Sequence, residues 1–145
     1  MPAAAPESVS RQGQRLLQIG VAFFLLTSLW GFFVSALPSP QLARSVHTLA
    51  ALQGVMLIAL GLLWPKLRLG VTGAGAAFWL LLYSTVAILA AFVLASLWGA
   101  GNETMPLAAG AARGSALQES VIRWVSYSSA PTGIASFAII LWGLR

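Results

Sequence analysis

The chain has no cysteine, one histidine and three acidic residues, all glutamate, among its 145 residues. The first absence excludes disulfides, thiolate metal sites and iron–sulfur clusters. One histidine and three glutamates are too few for an all-protein metal site within one chain, so any metal would arrive inside a cofactor. No Gly-rich phosphate loop, HExxH or Ser-His-Asp order is present, and no pair of intramembrane carboxylates is available for a proton relay. Charged residues make up only 8% of the chain. The formal net charge of +5 does not form a patch. Arg11, Arg15, Arg44, Lys66, Arg68, Arg113, Arg123 and Arg145 flank or separate apolar runs, where basic residues set membrane orientation and not nucleic-acid contact.

What is there is apolar: 59% of the residues are hydrophobic and the mean hydropathy is +0.86. Roughly 20 apolar residues cross a bilayer core. Four runs meet that length: residues 16–37, 47–64, 75–98 and 124–144. Backbone groups in lipid must be paired within their own segment, so these runs are helices. The expectation is an all-α membrane protein, a four-transmembrane-helix bundle forming a single domain over 16–145, preceded by a polar, Ala- and Pro-rich disordered tail over 1–15. That tail is a poor signal peptide, because the run after Arg15 is as long as a full span. Pro38 and Pro40 are read as closing the first span, Pro65 the second and Gly99 to Gly101 the third.

Arg11, Arg15, Lys66, Arg68 and Arg145 lie on one side of this arrangement and Arg44, Arg113 and Arg123 on the other. The excess predicts both termini in the cytoplasm, in a bacterial-type inner membrane. Trp30, Trp64, Trp98, Trp124 and Trp142 near the span ends are interfacial anchors. From Ser115 the pattern turns helical, with Ser115 capping Gln118 or Glu119, either along the membrane surface or as an extension of the fourth span.

Polar residues inside spans are costly unless they face protein, water or ligand. His47 starts the second span, and Gln53 follows about 9 Å deeper at helical rise. His47 reads either as a metal or heme ligand or as an interfacial histidine hydrogen-bonded to a carbonyl. Gln53 reads either as a substrate contact or as an interhelical hydrogen bond. Ser126, Tyr127, Ser128, Ser129 and Thr132 surround Pro131, and such serines more often satisfy their own helix than catalyse. Phe92 reaches the layer of His47, while Tyr83 lies nearer the cytoplasmic half. Glu119 and Arg113 read as solvated loop charges, with a gate or acid role the rarer case.

The run Ala43-Arg-Ser-Val-His47, then Leu52-Gln-Gly-Val-Met-Leu-Ile-Ala-Leu-Gly-Leu-Leu-Trp-Pro65, resembles the second span of the family that includes hydroxylaminobenzene mutase and styrene oxide isomerase. Ala77-Phe-Trp-Leu-Leu-Leu-Tyr-Ser-Thr85, Trp98-Gly-Ala-Gly101, Met105-Pro106, Gln118-Glu119 and Leu141-Trp-Gly-Leu-Arg145 extend the resemblance over about the last 100 residues.

The resemblance implies a heme-dependent membrane isomerase acting on a small aromatic substrate by a redox-neutral rearrangement, either aryl epoxide to aldehyde or aryl hydroxylamine to aminophenol. It implies a homotrimer binding heme b between subunits, with His47 as axial ligand of the iron acting as a Lewis acid. It places Gln53 where the family has a substrate-binding asparagine, and Phe92 where the isomerase has a tyrosine, which loses a hydroxyl. Tyr83, Tyr127, Ser129 and Glu119 complete the candidate pocket. The competing readings are a non-enzymatic heme-binding or structural membrane subunit and a small transporter. Gly54, Gly61, Ala87 and Ala91 offer close-approach faces for the oligomer.

Overall fold

The computed structural model describes residues 7–145. Four long helices form two antiparallel pairs: α1 (Glu7–Gly31) with α2 (Pro40–Leu63), and α3 (Val71–Trp98) with α5 (Ala116–Gly143). A four-residue helix, α4 (Pro106–Ala109), sits in the α3–α5 connection, and α2 packs on α3 to join the pairs. Among the described residues there is no strand.

Three helices are long and apolar enough to cross a membrane: α2 with the turn that follows it, α3 and α5. The first helix is not among them, because Arg11, Gln12, Gln14, Arg15 and Gln18 occupy its first half. It also begins at Glu7, so residues 7–15 are not the expected tail; residues 1–6 of that tail lie outside the described residues. The reason is a buried stripe, Val9, Gly13, Leu16 and Gly20, at the spacing that puts side chains on one helix face. Gln12 adds a polar tie, accepting a hydrogen bond from the buried Trp64 indole at 3.1 Å.

Boundaries shift elsewhere for stated reasons. Helix α1 stops at Gly31 instead of Leu37, and Pro40 opens α2 instead of closing the first span, since a proline at the first helical position loses no hydrogen bond. Thus α2 starts ahead of His47, and α3 starts at Val71, ahead of Gly75. Gly99 ends α3 in the left-handed conformation, φ 61°. Ser115 caps α5 in a reciprocal capping box with Gln118, so the stretch after it continues into the long helix that carries Trp124 to Leu141.

The α1–α2 seam is a backbone-to-backbone approach. A Cβ added at Gly20 would lie 2.8 Å from the Gly54 carbonyl oxygen, and one added at Gly54 would lie 3.0 Å from that of Gly20. Gly13 and Gly61 repeat the relation one heptad away, at 2.9 and 2.8 Å. Gly54 and Gly61 are therefore committed within the chain and do not form an oligomer face; Ala87 and Ala91 are buried as well. The α3–α5 pair is tied by hydroxyls: Ser136 donates to the Ala77 carbonyl and Ser84 to the Ser129 carbonyl, each at 2.8 Å. Trp64 meets Phe78 edge-on, with ring centroids 6.2 Å apart, in the core at one end of the bundle. Leu42, Ala95, Ala100, Ala109 and Ile122 form a second cluster at the α4 end.

Candidate active site

The rungs of the α1–α2 seam step by seven in opposite directions: Gly13 with Gly61, Gly20 with Gly54, then Thr27 with His47. At the third rung the contact becomes polar. The Thr27 hydroxyl donates to the His47 carbonyl at 2.6 Å, and His47 Nδ1 lies 2.9 Å from the Thr27 carbonyl oxygen. A carbonyl only accepts, so Nδ1 carries a proton, and in the neutral ring the lone pair is then on Nε2. Gly31 lies against the ring, where a Cβ would make ordinary van der Waals contact at 3.5 Å. His47 is exposed on the outer side of the chain, next to a buried Thr27. The carbonyl-bonded reading of His47 is seen directly at Nδ1, while Nε2 has no hydrogen-bond partner among the described residues.

Gln53 stands elsewhere. Six residues on a helix turn it about 120° from His47, into the α2–α3 seam, where it is 7% exposed. Its amide donates to the Thr85 carbonyl at 3.2 Å, while Oε1 is buried without a partner. Phe92 lines a third region, an open surface groove with Gln41, Arg44, Ser45, Thr48, Leu49, Leu52 and Ala108. One chain thus places Phe92 in the layer of Thr48, but does not bring His47, Gln53 and Phe92 into a single cavity.

Tyr83 donates to the Ser128 hydroxyl at 2.8 Å. The two sit mid-helix in α3 and α5, so Tyr83 shares the serine layer instead of lying nearer the cytoplasmic side. It borders a separate apolar cavity of about 580 Å³ with Trp79, Leu82, Val86, Ala87 and Val125. Tyr127 is exposed. Ser129 is buried and its hydroxyl donates to the Ser126 carbonyl at 2.6 Å; Ser128 and Thr132 likewise bond their own helix.

Glu119 is not a solvated loop charge. It is 4% exposed, and its carboxylate accepts main-chain N–H groups from Gly101 at 2.8 Å, Gly114 at 2.9 Å and Glu103 at 3.3 Å. With both oxygens engaged as acceptors, it folds the α3–α5 connection around itself and does not present a free acid. That connection reaches α2, where the Gln41 amide donates to the Leu107 carbonyl at 3.0 Å. Sequence reasoning missed Thr27, whose signal was the heptad shared with Gly13 and Gly20, and the latch role of Glu119, signalled by Gly101 and Gly114 on either side of α4.

The family model for styrene oxide isomerase matches residues 12–145. The chain belongs to the styrene oxide isomerase family. The match takes in α1, well beyond the roughly 100 C-terminal residues that carried the resemblance by eye. The isomerase is similar to hydroxylaminobenzene mutase HabB of Ectopseudomonas oleovorans, 41% identical over 140 residues covering 97% of this chain and 85% of that protein. It is also similar to hydroxylaminobenzene mutase HabA of the same organism, 37% identical over 129 residues, covering 89% of this chain and 96% of the relative. No solved structure matches. These relationships make the chain an isomerase and set aside the non-enzymatic and transporter readings.

Proposed function

We propose that this isomerase converts an aryl hydroxylamine to an aminophenol, within the membrane, in a redox-neutral rearrangement. Both mutase relatives support this choice, and Phe92 favours it over an aryl epoxide, since its ring offers no hydroxyl to hold an epoxide oxygen. In the reaction the N–O bond breaks, a ring C–O bond forms, and the displaced ring proton is balanced by one gained at nitrogen. Epoxide-to-aldehyde isomerisation is the second reading, favoured by the name of the family model.

The cofactor proposed is heme b, which His47 would hold. The observation that carries it is the His47–Thr27 pair: with the Thr27 carbonyl on Nδ1, the neutral ring would turn its Nε2 lone pair outward on an exposed side chain, where it could hold a heme iron. When bound, a ferric heme supplies a Lewis acid for the substrate oxygen. The chain's own residues do the rest. Thr27 orients His47 through its carbonyl. Gln53 ties α2 to α3 through the Thr85 carbonyl, and its Oε1 is buried without a donor. Phe92, Leu49 and Leu52 give an apolar surface on which the ring would pack.

His47 and the Phe92 groove open on different sides of α2, which supports a site completed by a neighbouring subunit; the homotrimer is what the family resemblance implies. The proposed topology has α1 as the fourth span and both termini cytoplasmic in an inner membrane, following the distribution of basic residues. The test is product analysis with purified enzyme in ¹⁸O-water. The expected outcome is an aminophenol from hydroxylaminobenzene without solvent label, formed faster than any aldehyde from styrene oxide. Labelled product would show oxygen supplied by water and defeat the intramolecular reading.

A further inference from the structure

We propose that the corner where Arg68 meets the end of α5 holds the headgroup of one anionic phospholipid, its phosphate bound by the Arg68 and Arg145 guanidiniums and its chains lying along Trp142 and Leu141. Arg11, Arg15, Lys66, Arg68 and Arg145 come from three separate stretches of the sequence, and the fold gathers them at one end of the bundle. Gly13 packs against Trp64 and Pro65, which sets the start of α1 beside the α2–α3 connection. At the other side of that connection the Arg68 main-chain N–H donates to the Gly143 carbonyl at 2.7 Å. The Leu69 side chain closes the junction, since a Cβ added at Gly143 would lie 2.6 Å from its Cγ. Arg68 is therefore tied to the residue two places before Arg145.

Nothing in the chain neutralises this corner. Of its three acidic side chains, Glu7 pairs with Arg11, Glu103 pairs with Arg123 at 3.3 Å, and Glu119 is occupied by main-chain N–H groups. The last two belong to the α3–α5 connection, at the opposite end of the bundle. Lys66, Arg68 and Arg145 are all exposed and have no carboxylate within ion-pair distance among the described residues. Two guanidiniums and an ammonium without a counter-charge call for an anion from outside, and guanidinium forks suit the paired oxygens of a phosphate.

The setting selects a lipid as the source of that anion. Lys66 closes one membrane-length helix, α3 begins three residues after Arg68, and α5 ends at Gly143, so the cations stand at the level where chains give way to headgroups. The apolar part of the site is on the page as well. Trp142 and Leu141 are 64% and 67% exposed, and the Arg145 guanidinium lies 4.2 Å from the centroid of the Trp142 ring, which holds the charge directly beside an apolar surface. Arg15 lacks such a surface, standing between the exposed Gln14 and Gln18 on α1. This inference does not depend on the cofactor or on the reaction.

The test uses full-length protein in detergent and counts lipid adducts by native mass spectrometry, with dioleoylphosphatidylglycerol against dioleoylphosphatidylcholine. Wild type is compared with Arg68→Gln, Arg68→Lys and Arg145→Gln, and with Arg15→Gln, which removes the same charge from the same end outside the corner. Because the Arg68 tie to Gly143 is made by main chain, these variants keep it, and matched Tm and gel-filtration profiles verify the fold. Each engaged cation contributes a factor of about five. Wild type should therefore retain phosphatidylglycerol over phosphatidylcholine, and Arg68→Gln and Arg145→Gln should each lose about fivefold of that preference. Arg68→Lys should keep part of it and Arg15→Gln all of it. Equal losses in Arg15→Gln and the two corner variants would reduce the effect to net charge and overturn the proposal, as would a wild type with no preference. Displacement of the lipid by millimolar glycerol phosphate would make the corner a site for soluble phosphate and also overturn it.

Discussion

Thr27 and His47 hold each other by two hydrogen bonds that run in opposite directions, hydroxyl to carbonyl at 2.6 Å and imidazole to carbonyl at 2.9 Å. The pair is the polar end of a seam whose other rungs are glycines, so the orientation of the one histidine depends on how closely α1 and α2 approach. A change that pushes the helices apart alters the setting of His47 without touching it.

That dependence makes Gly20 the most informative position on the seam. A Cβ there meets the Gly54 carbonyl at 2.8 Å and Ile58 at 2.7 Å, and backbone cannot yield as a flexible side chain does. Gly20→Ala is expected to cost about 1–3 kcal/mol, the usual range for overpacking. Gly70→Ala, with nothing within 4 Å of the added methyl, is the control and is expected to cost less, about 0.5–1 kcal/mol, because Gly70 is the N-cap of α3 and alanine caps poorly. Thermal unfolding in detergent compares the two directly.

Glu119 is expected to act as a latch on the α3–α5 connection. Glu119→Ala removes the acceptor of three main-chain N–H groups, Gly101 among the most buried of them, at about 1–3 kcal/mol for each buried donor left unpaired. The connection should then open, and trypsin should cut after Arg113 several times faster than in wild type. Unchanged cleavage with unchanged Tm would show that the latch contributes nothing.

The absence of cysteine makes the topology directly testable. Ser35 and Gly70 are exposed positions in successive connections. In intact cells Ser35→Cys should react with an impermeant maleimide, and Gly70→Cys should react only after the membrane is opened. The reverse pattern would invert the orientation, and labelling of both from outside would remove α2 as a span.

Helices α2, α3 and α5 were legible because length and apolarity alone dictate a helix in lipid. Helix α1 was legible only in its second half. Arg11, Gln12, Gln14 and Arg15 have the composition of a tail, and the stripe of Val9, Gly13 and Leu16 that buries this turn gains meaning only once Gly61 and Trp64 are known to face it. Pro40 was misread because a proline both ends and begins helices, and the choice rests on the chain that follows. In the site, the residue types at His47, Gln53 and Phe92 were readable, but their division among three faces of the fold was not. Burial of Glu119 escaped notice because its partners are main-chain groups, which leave no mark in side-chain identity.

The central claim is that His47 Nε2, freed by the Nδ1 bond to Thr27, is the ligand of a heme. The most direct measurement is the ultraviolet–visible spectrum of the detergent-purified protein beside that of His47→Ala, each before and after addition of hemin. The account predicts a Soret band in wild type that is lost or shifted in the variant, with the variant still folded by gel filtration. Folded wild type without a Soret band even after hemin, or a band identical in His47→Ala, would contradict it.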